Sequence, residues 1–478
     1  MSIDINIMVG GEAGQGVQSV GFLLAKVFAR GGYHVFADQD YESRIRGGHN
    51  FFRVRTRDSE VGAISEPVNI LIALNRETID IHRKKLVKNG IVVFDVEKVK
   101  NMSGDGNFLG TPLDKLAEEK AGNKLMANTV ALGAALNLVK YDLEIISEVL
   151  RDHFGAGEIG EANIRAAQAG YEYARSNFKS DFAHHLHPIS NKRRMLLNGN
   201  EATALGAIAA GCKFMAAYPM TPTTSIMEYL AAKANDFGLV VVQPEDEIAV
   251  INMIIGAAYA GVRVMTATSG GGFCLMVEGL SLAGMTETPI VVVLGQRPGP
   301  AIGLPTRTEQ GELEFAIHAG HGEFPRAVLA PATIEDAFYL TIKAFNLAEK
   351  YQSPVIILTD QHLASSYSTA HRFDLSQVTI DRGLLFSEQD ISKVSEYKRH
   401  QITESGISPR AFPLQQEGIL VATDADEHDE EGHLIEDADV RTKMMLKRLR
   451  KLDGLRGEIG EPRIYGPRKA ETTIIGWG

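Results

Sequence analysis

The chain has 478 residues and a formal net charge of −11, with 44% hydrophobic and 23% charged residues. That composition excludes a largely disordered chain, and 49 basic against 60 acidic residues argue against nucleic-acid binding. No run approaches the roughly 18 apolar residues of a membrane-spanning helix. The two cysteines, Cys212 and Cys274, hold no iron–sulfur cluster or tetrahedral zinc unaided, and a reducing, cytoplasmic setting is the default expectation.

Length predicts two or three domains. The opening residues carry no basic region and run into a strand over 3–9, so the start does not read as a secretory signal. Gly10-Gly11-Glu12-Ala13-Gly14-Gln15-Gly16 follows, then a helix over 17–29 stopped by Gly31-Gly32. Further strands are expected at 33–37, 68–74 and 91–95, and helices at 125–139 and 145–150. This alternation predicts an α/β domain over 1–180 with an open parallel sheet. Residues 181–194 read as a linker, and His184, His185 and His187 in it as solvated side chains rather than a metal site.

A second open parallel-sheet domain is expected over 195–470. Its helices are predicted at 200–210, 226–234, 247–260 and 273–283, and its strands at 214–217, 239–242, 262–267, 290–294 and 355–359. Long connections at 295–311 and 369–418 point to functional loops. Residues 424–433 read as a solvated acidic loop, lacking the pattern of a calcium loop, and 443–451 as a basic helix pairing with those acids. Residues 471–478 look like the first strand of a further domain that is not represented.

Several constellations could carry chemistry. The Gly11–Gly16 turn is a tight strand–helix connection or a phosphate or partner contact. Its spacing is not the dinucleotide fingerprint, although Asp38 imitates the ribose-binding acid. Arg44, Arg46 and the strand-like residues 51–54, with Arg53 and Arg55, read either as an anion or partner surface on an edge strand or as a solvated face. Gly104-Asp105-Gly106 with Asn128 imitates a thiamine diphosphate–magnesium motif. It lacks the buried strand that motif needs and reads as a surface turn.

In the second domain, Glu245-Asp246-Glu247 opens an apolar helix. Such acids offset the helix dipole, but Glu247 should dip toward the packed side, and a buried glutamate is a general acid/base candidate. Thr268-Ser269-Gly270-Gly271-Gly272 lies at a strand C-end, where open α/β sheets bind ligands. Arg297 sits in a proline-stiffened loop suited to gripping a carboxylate with two hydrogen bonds, or to pairing with Glu309 or Glu312.

These residues also carry a resemblance. Tyr218-Pro219-Met220-Thr221-Pro222, Glu245-Asp246-Glu247-Ile248-Ala249, Thr268-Ser269-Gly270-Gly271-Gly272-Phe273 and Gly303-Leu304-Pro305-Thr306 occur in that order. Together they resemble the α-subunit of 2-oxoacid:ferredoxin oxidoreductases of the 2-oxoglutarate synthase type. The first 180 or so residues resemble the γ-domain of the same enzymes, through Gly10–Gly16 and Arg46-Gly47-Gly48.

The resemblance implies that the second domain binds the pyrimidine end of thiamine diphosphate. Glu247 would contact N1′ of the aminopyrimidine, Thr268, Ser269 and Gly270 would line the cofactor, and Thr221 would contact substrate or cofactor. Tyr218 stands in the same motif, and Arg297 and Thr306 would bind the substrate carboxylate. Met220 replaces an isoleucine of the family pattern, and Gly271 a proline. The resemblance further implies a separate β-subunit holding Mg²⁺, the diphosphate and an iron–sulfur cluster, and a dimer of αβ units. The reaction would be oxidative decarboxylation of a 2-oxoacid, 2-oxoglutarate before pyruvate, with coenzyme A and ferredoxin. The competing readings are a non-catalytic assembly subunit and a subunit of a thiamine-dependent non-redox decarboxylase.

Overall fold

A computed structural model describes the chain apart from residues 1, 44–46, 101, 103–106, 181, 191–192 and 468. Arg44, Arg46 and Gly104-Asp105-Gly106 therefore lie outside the described residues. The chain divides into two compact units, Met1–Asn198 with Ser365–Arg372, and Gly199–Ala364 with Phe373–Gly478. No helix among the described residues is long and apolar enough to cross a membrane.

Through the first unit run β1 (Asp4–Ala13), α1 (Val17–Arg30), β2 (His34–Asp40), β3 (Gly47–Arg57), β4 (Val68–Ala73), α2 (Arg76–His82), β5 (Leu86–Asp95) and β6 (Asn107–Thr111). Then come α3 (Leu113–Ala121), α4 (Ala127–Leu138), α5 (Leu143–Phe154), α6 (Glu158–Asn177) and β7 (Met195–Asn198). The second unit begins with α7 (Gly199–Ala209), β8 (Phe214–Ala216), α8 (Thr224–Phe237), β9 (Val240–Val242), α9 (Glu247–Tyr259) and β10 (Val264–Thr268). It continues with α10 (Gly270–Leu275), α11 (Val277–Met285), β11 (Val291–Gln296), α12 (Leu313–His318), β12 (Ala327–Leu329), α13 (Ile334–Tyr351), β13 (Val355–Asp360) and α14 (Gln361–Ser365). After β14 (Tyr367–Ala370), which rejoins the first sheet, come α15 (Glu388–Ile391) and α16 (Ala438–Ile459).

The first sheet has the order β6-β5-β4-β1-β3-β2-β14-β7. It is parallel from β6 through β1 and antiparallel from there on. β3 is an interior strand between β1 and β2, not the edge strand expected at 51–54. The reason is its alternation: Asn50, Phe52, Val54 and Thr56 point into the core, and the arginines between them are neutralised across the sheet. Arg53 Nε donates to Asp38 Oδ1 at 2.8 Å and Arg55 Nε to Asp4 Oδ1 at 2.8 Å. Asp38 is therefore bound to Arg53 and is no free ribose acceptor.

The glycine-rich turn is shorter than it looked, because β1 runs on through Ala13. Gly14 and Gly16 take φ of 92° and 77°, a region only glycine enters cheaply, and Glu12 N–H donates to Gln15 Oε1 at 2.7 Å. The expected linker packs onto the first unit: Leu186 is buried, its N–H donates to Val139 O at 2.8 Å, and the Tyr33 hydroxyl donates to His187 O at 2.8 Å.

The second sheet, in the order β12-β13-β11-β10-β8-β9, is parallel throughout. Its central strands β10, β11 and β13 are buried along their whole length, as a parallel sheet covered on both faces requires. The acidic loop is not wholly solvated. His428 is buried, and Glu427 accepts hydrogen bonds from Arg448 Nη2 at 2.7 and 2.8 Å. In α16 the buried Lys447 and Lys451 reach Glu287.

Candidate active site

The site lies in the second unit, at the C-terminal ends of β8, β10 and β11. Asp246 caps α9, its Oδ1 accepting from Ala249 N at 2.7 Å. That cap fixes Glu247 as the first helical residue. Val250, Ile251 and Ile254 bury the same face, so the apolar pattern carries Glu247 inward. It is 4% exposed, and its Oε1 is buried without a hydrogen-bond partner among the described residues. Leaving a carboxyl oxygen in that state costs free energy unless a ligand satisfies it.

Opposite stands the turn after β10. A β-carbon built on Gly272 would come within 2.5 Å of Glu247 Oε1 and would collide with Thr268 Oγ1. The glycine thus keeps open the space around the carboxyl. Thr268 and Ser269 are fully buried, and Ser269 Oγ has no partner among the described residues. Thr268 Oγ1 lies 3.9 Å from Met220 Sδ, which brings the loop after β8 to the same place. Gly271 would tolerate a β-carbon, with nothing nearer than Ala301 O at 3.6 Å.

The loop after β8 is tied down on both sides. Asn200 Nδ2 donates to Pro222 O at 2.7 Å and to Ser225 Oγ at 2.8 Å. Arg297 Nη1 donates to Thr221 O at 2.7 Å. Arg297 directly follows β11 and is 7% exposed. Burial holds its guanidinium below its ordinary value, and the Glu312 charge works against that.

The structure therefore gathers Glu247, Thr268, Gly270 and Gly272 with Met220, and Arg297 with Thr221. Tyr218 stands at the rim, 38% exposed. Thr306 is half-buried in the turn that Arg307 N and Leu304 O close at 3.1 Å. Sequence reading named Glu312 only as a possible partner of Arg297 and gave Gln296 no role. A β-carbon on Gly270 would overlap Glu312 Oε1, and Gln296 Oε1 accepts from Glu312 N at 3.0 Å. The one local hint was the position of Glu312 at the start of a helix after the Arg297 loop.

Two families match the chain. One described as pyruvate ferredoxin/flavodoxin oxidoreductase covers residues 6–173. The other, described as pyruvate flavodoxin/ferredoxin oxidoreductase, thiamine diphosphate-binding, covers 205–447. A 2-oxoacid:ferredoxin oxidoreductase α-subunit from a Sulfolobus species is 35% identical over 98% of this chain and 82% of its own length. A 2-oxoglutarate synthase subunit KorA from Archaeoglobus fulgidus is 48% identical over 35% of this chain and 48% of its own. The structure of a 2-oxoglutarate:ferredoxin oxidoreductase from Magnetococcus marinus, with 2-oxoglutarate, coenzyme A and succinyl-CoA bound, superposes with a TM-score of 0.86. It is 34% identical and covers 96% of this chain and 80% of that one.

Proposed function

The chain belongs to the 2-oxoacid:ferredoxin oxidoreductase family, and from that premise we propose that it is the subunit holding the pyrimidine end of thiamine diphosphate and the substrate carboxylate. The reaction is oxidative decarboxylation of a 2-oxoacid with coenzyme A. The carbon–carbon bond to the carboxylate breaks, CO₂ leaves, the acyl group passes to the thiol, and two electrons go to ferredoxin. A separate β-subunit supplies the diphosphate and Mg²⁺ site and an iron–sulfur cluster, the active assembly is a dimer of αβ units, and this chain alone is inactive. Among substrates we favour 2-oxoglutarate over pyruvate, because relatives of this chain carry that name and one was solved with that ligand.

The observation that carries this reading is the buried, unpartnered Oε1 of Glu247 beside the space that Gly272 leaves. A ring nitrogen of the aminopyrimidine is the kind of partner such an oxygen lacks. Bound thiamine diphosphate supplies a carbon that becomes a nucleophile on losing a proton and takes up the electrons of the broken bond. The residues of this chain then have distinct tasks. Glu247 holds a proton at Oε1 and shares it with the ring nitrogen, which is general acid/base work. Thr268, Ser269 and Gly270 wall the ring and exclude water. Arg297 spends one N–H on Thr221 O and keeps the rest of its fork for the substrate carboxylate. Thr221, Thr306 and Tyr218 complete the substrate side.

Co-expression with a β-subunit and a viologen-reduction assay over a panel of 2-oxoacids tests the proposal. It expects 2-oxoacid- and coenzyme A-dependent reduction. A purified complex that lacks an iron–sulfur cluster, or binds without turnover, contradicts it.

A further inference from the structure

Glu312 stands beside this site without a task in the reading above. Its backbone N–H is held by Gln296 Oε1 at 3.0 Å, and Gln296 Nε2 in turn donates to Thr359 O at 3.2 Å. The residue is thus pinned to the ends of β11 and β13. Its side chain leans onto Gly270, where a β-carbon would overlap Oε1. Oε2 is buried and takes no hydrogen bond among the described residues. The groups that face it are Arg297 from the end of β11, Glu309 from the preceding loop and Cys274 from α10. Glu247 contacts the same glycine turn two residues on, at Gly272.

We propose that Glu312 is a positioning residue that sets how much of the Arg297 guanidinium is offered to the substrate: it carries a proton when the 2-oxoacid binds and competes for the guanidinium once ionised. The inference rests on the substrate role given to Arg297 above. A buried carboxylate lodged against the Gly270 turn and an anion bound at Arg297 bring like charges together, and one of them gains by taking a proton. A neutral Glu312 leaves the substrate carboxylate as the sole anion on the fork. Burial pushes the Glu312 carboxyl up to about 7, Arg297 pulling it down and Glu309 pushing it further up. Substrate binding should then draw a proton onto Glu312, and affinity should fall as pH rises.

The test uses the complex reconstituted with its β-subunit, saturating coenzyme A and viologen, and 2-oxoglutarate and pyruvate as probes. Neither probe's carboxylates titrate between pH 6 and 8. Across that range the wild-type KM should rise about tenfold, the factor for one obligatory proton on a group near 7. Glu312→Gln should hold KM flat and close to the wild-type value at pH 6, while Glu312→Asp keeps a slope. A purely structural role would lower the melting temperature and leave the slope of KM in place. A flat wild-type profile overturns the proposal, whatever the variants do, and so does a Glu312→Gln enzyme with the wild-type slope. Arg297→Ala at pH 6 separates the two layers. An unchanged KM there defeats the substrate role of Arg297 itself, whereas a raised KM with a flat wild-type profile defeats only the part given to Glu312.

Discussion

Glu247 and Gly272 face each other across the candidate active site so closely that a β-carbon on Gly272 would stand 2.5 Å from Glu247 Oε1. A methyl group there must push the carboxyl aside or shift the turn, and Thr268 blocks the other direction. Gly272→Ala should therefore cost about 1–3 kcal/mol of stability through overpacking, and lower kcat by at least about tenfold, since misplacing an acid/base group forfeits much of its 10²–10⁴-fold contribution. Circular dichroism and steady-state kinetics on the reconstituted complex check it.

Arg297 should govern substrate affinity. Arg297→Lys keeps the charge and loses the planar fork, so KM for the 2-oxoacid rises. Arg297→Ala raises it further, by about 1.5–3 kcal/mol for a hydrogen bond to a charged group. Were Arg297 merely a partner of Glu309 or Glu312, the alanine variant would melt earlier with KM unmoved.

On the proposed function this chain holds only the pyrimidine end, so the isolated chain should bind thiamine diphosphate weakly or not at all. Isothermal titration calorimetry with Mg²⁺ present should show no micromolar binding until the β-subunit is added. Micromolar binding by this chain alone would restore interest in Gly104-Asp105-Gly106.

How much of this was legible beforehand depended on where each signal lay. The strands of the second sheet stood out as apolar runs ending near glycine or proline, and α9 as an apolar helix behind an acidic cap. α16 gave only its basic stretch, because its buried face includes Lys447, Arg448 and Lys451, and a charged inner face has no apolar period. β3 looked like an edge because the carboxylates of Asp4 and Asp38, which neutralise its arginines, come from other strands. β14 joins the first sheet from far along the chain: Thr369 Oγ1 accepts from Val35 N at 3.0 Å across a separation of 334 residues, which no local pattern announces. Glu312 was legible only as a possible partner of Arg297, since its contacts with Gly270 and Gln296 are ones that only the fold brings to it.

The region after residue 373 should depend on one buried carboxylate. Glu287 is fully buried, Lys447 Nζ donates to its Oε1 at 2.5 Å, Lys451 pairs with its other oxygen, and His400 Nδ1 lies 3.0 Å from Oε1. The two ammonium groups and His400 hold the Glu287 carboxyl well below its ordinary 4.5, against the effect of burial. A depressed carboxyl contributes stability above its unfolded value and loses it only as acid titrates the folded form. The carboxyl's contribution should therefore be present at neutral pH and lost in acid, while burial pushes the Lys447 ammonium down to about 7 against the pull of Glu287 and offsets part of it. Glu287→Ala strands two buried ammonium groups and should cost about 3–5 kcal/mol, read as a lower melting temperature and faster hydrogen exchange in α16.

On the proposed function, Glu247 performs acid/base work in 2-oxoacid oxidation. The measurement that tests it most directly is kcat for 2-oxoglutarate-dependent viologen reduction by the reconstituted complex carrying Glu247→Gln, with coenzyme A saturating and subunit assembly verified by size-exclusion chromatography. The assembled complex should show a kcat lower by about 10²–10⁴-fold, the range for losing a positioned acid/base group. An assembled Glu247→Gln complex that turns over at close to the wild-type rate would contradict it.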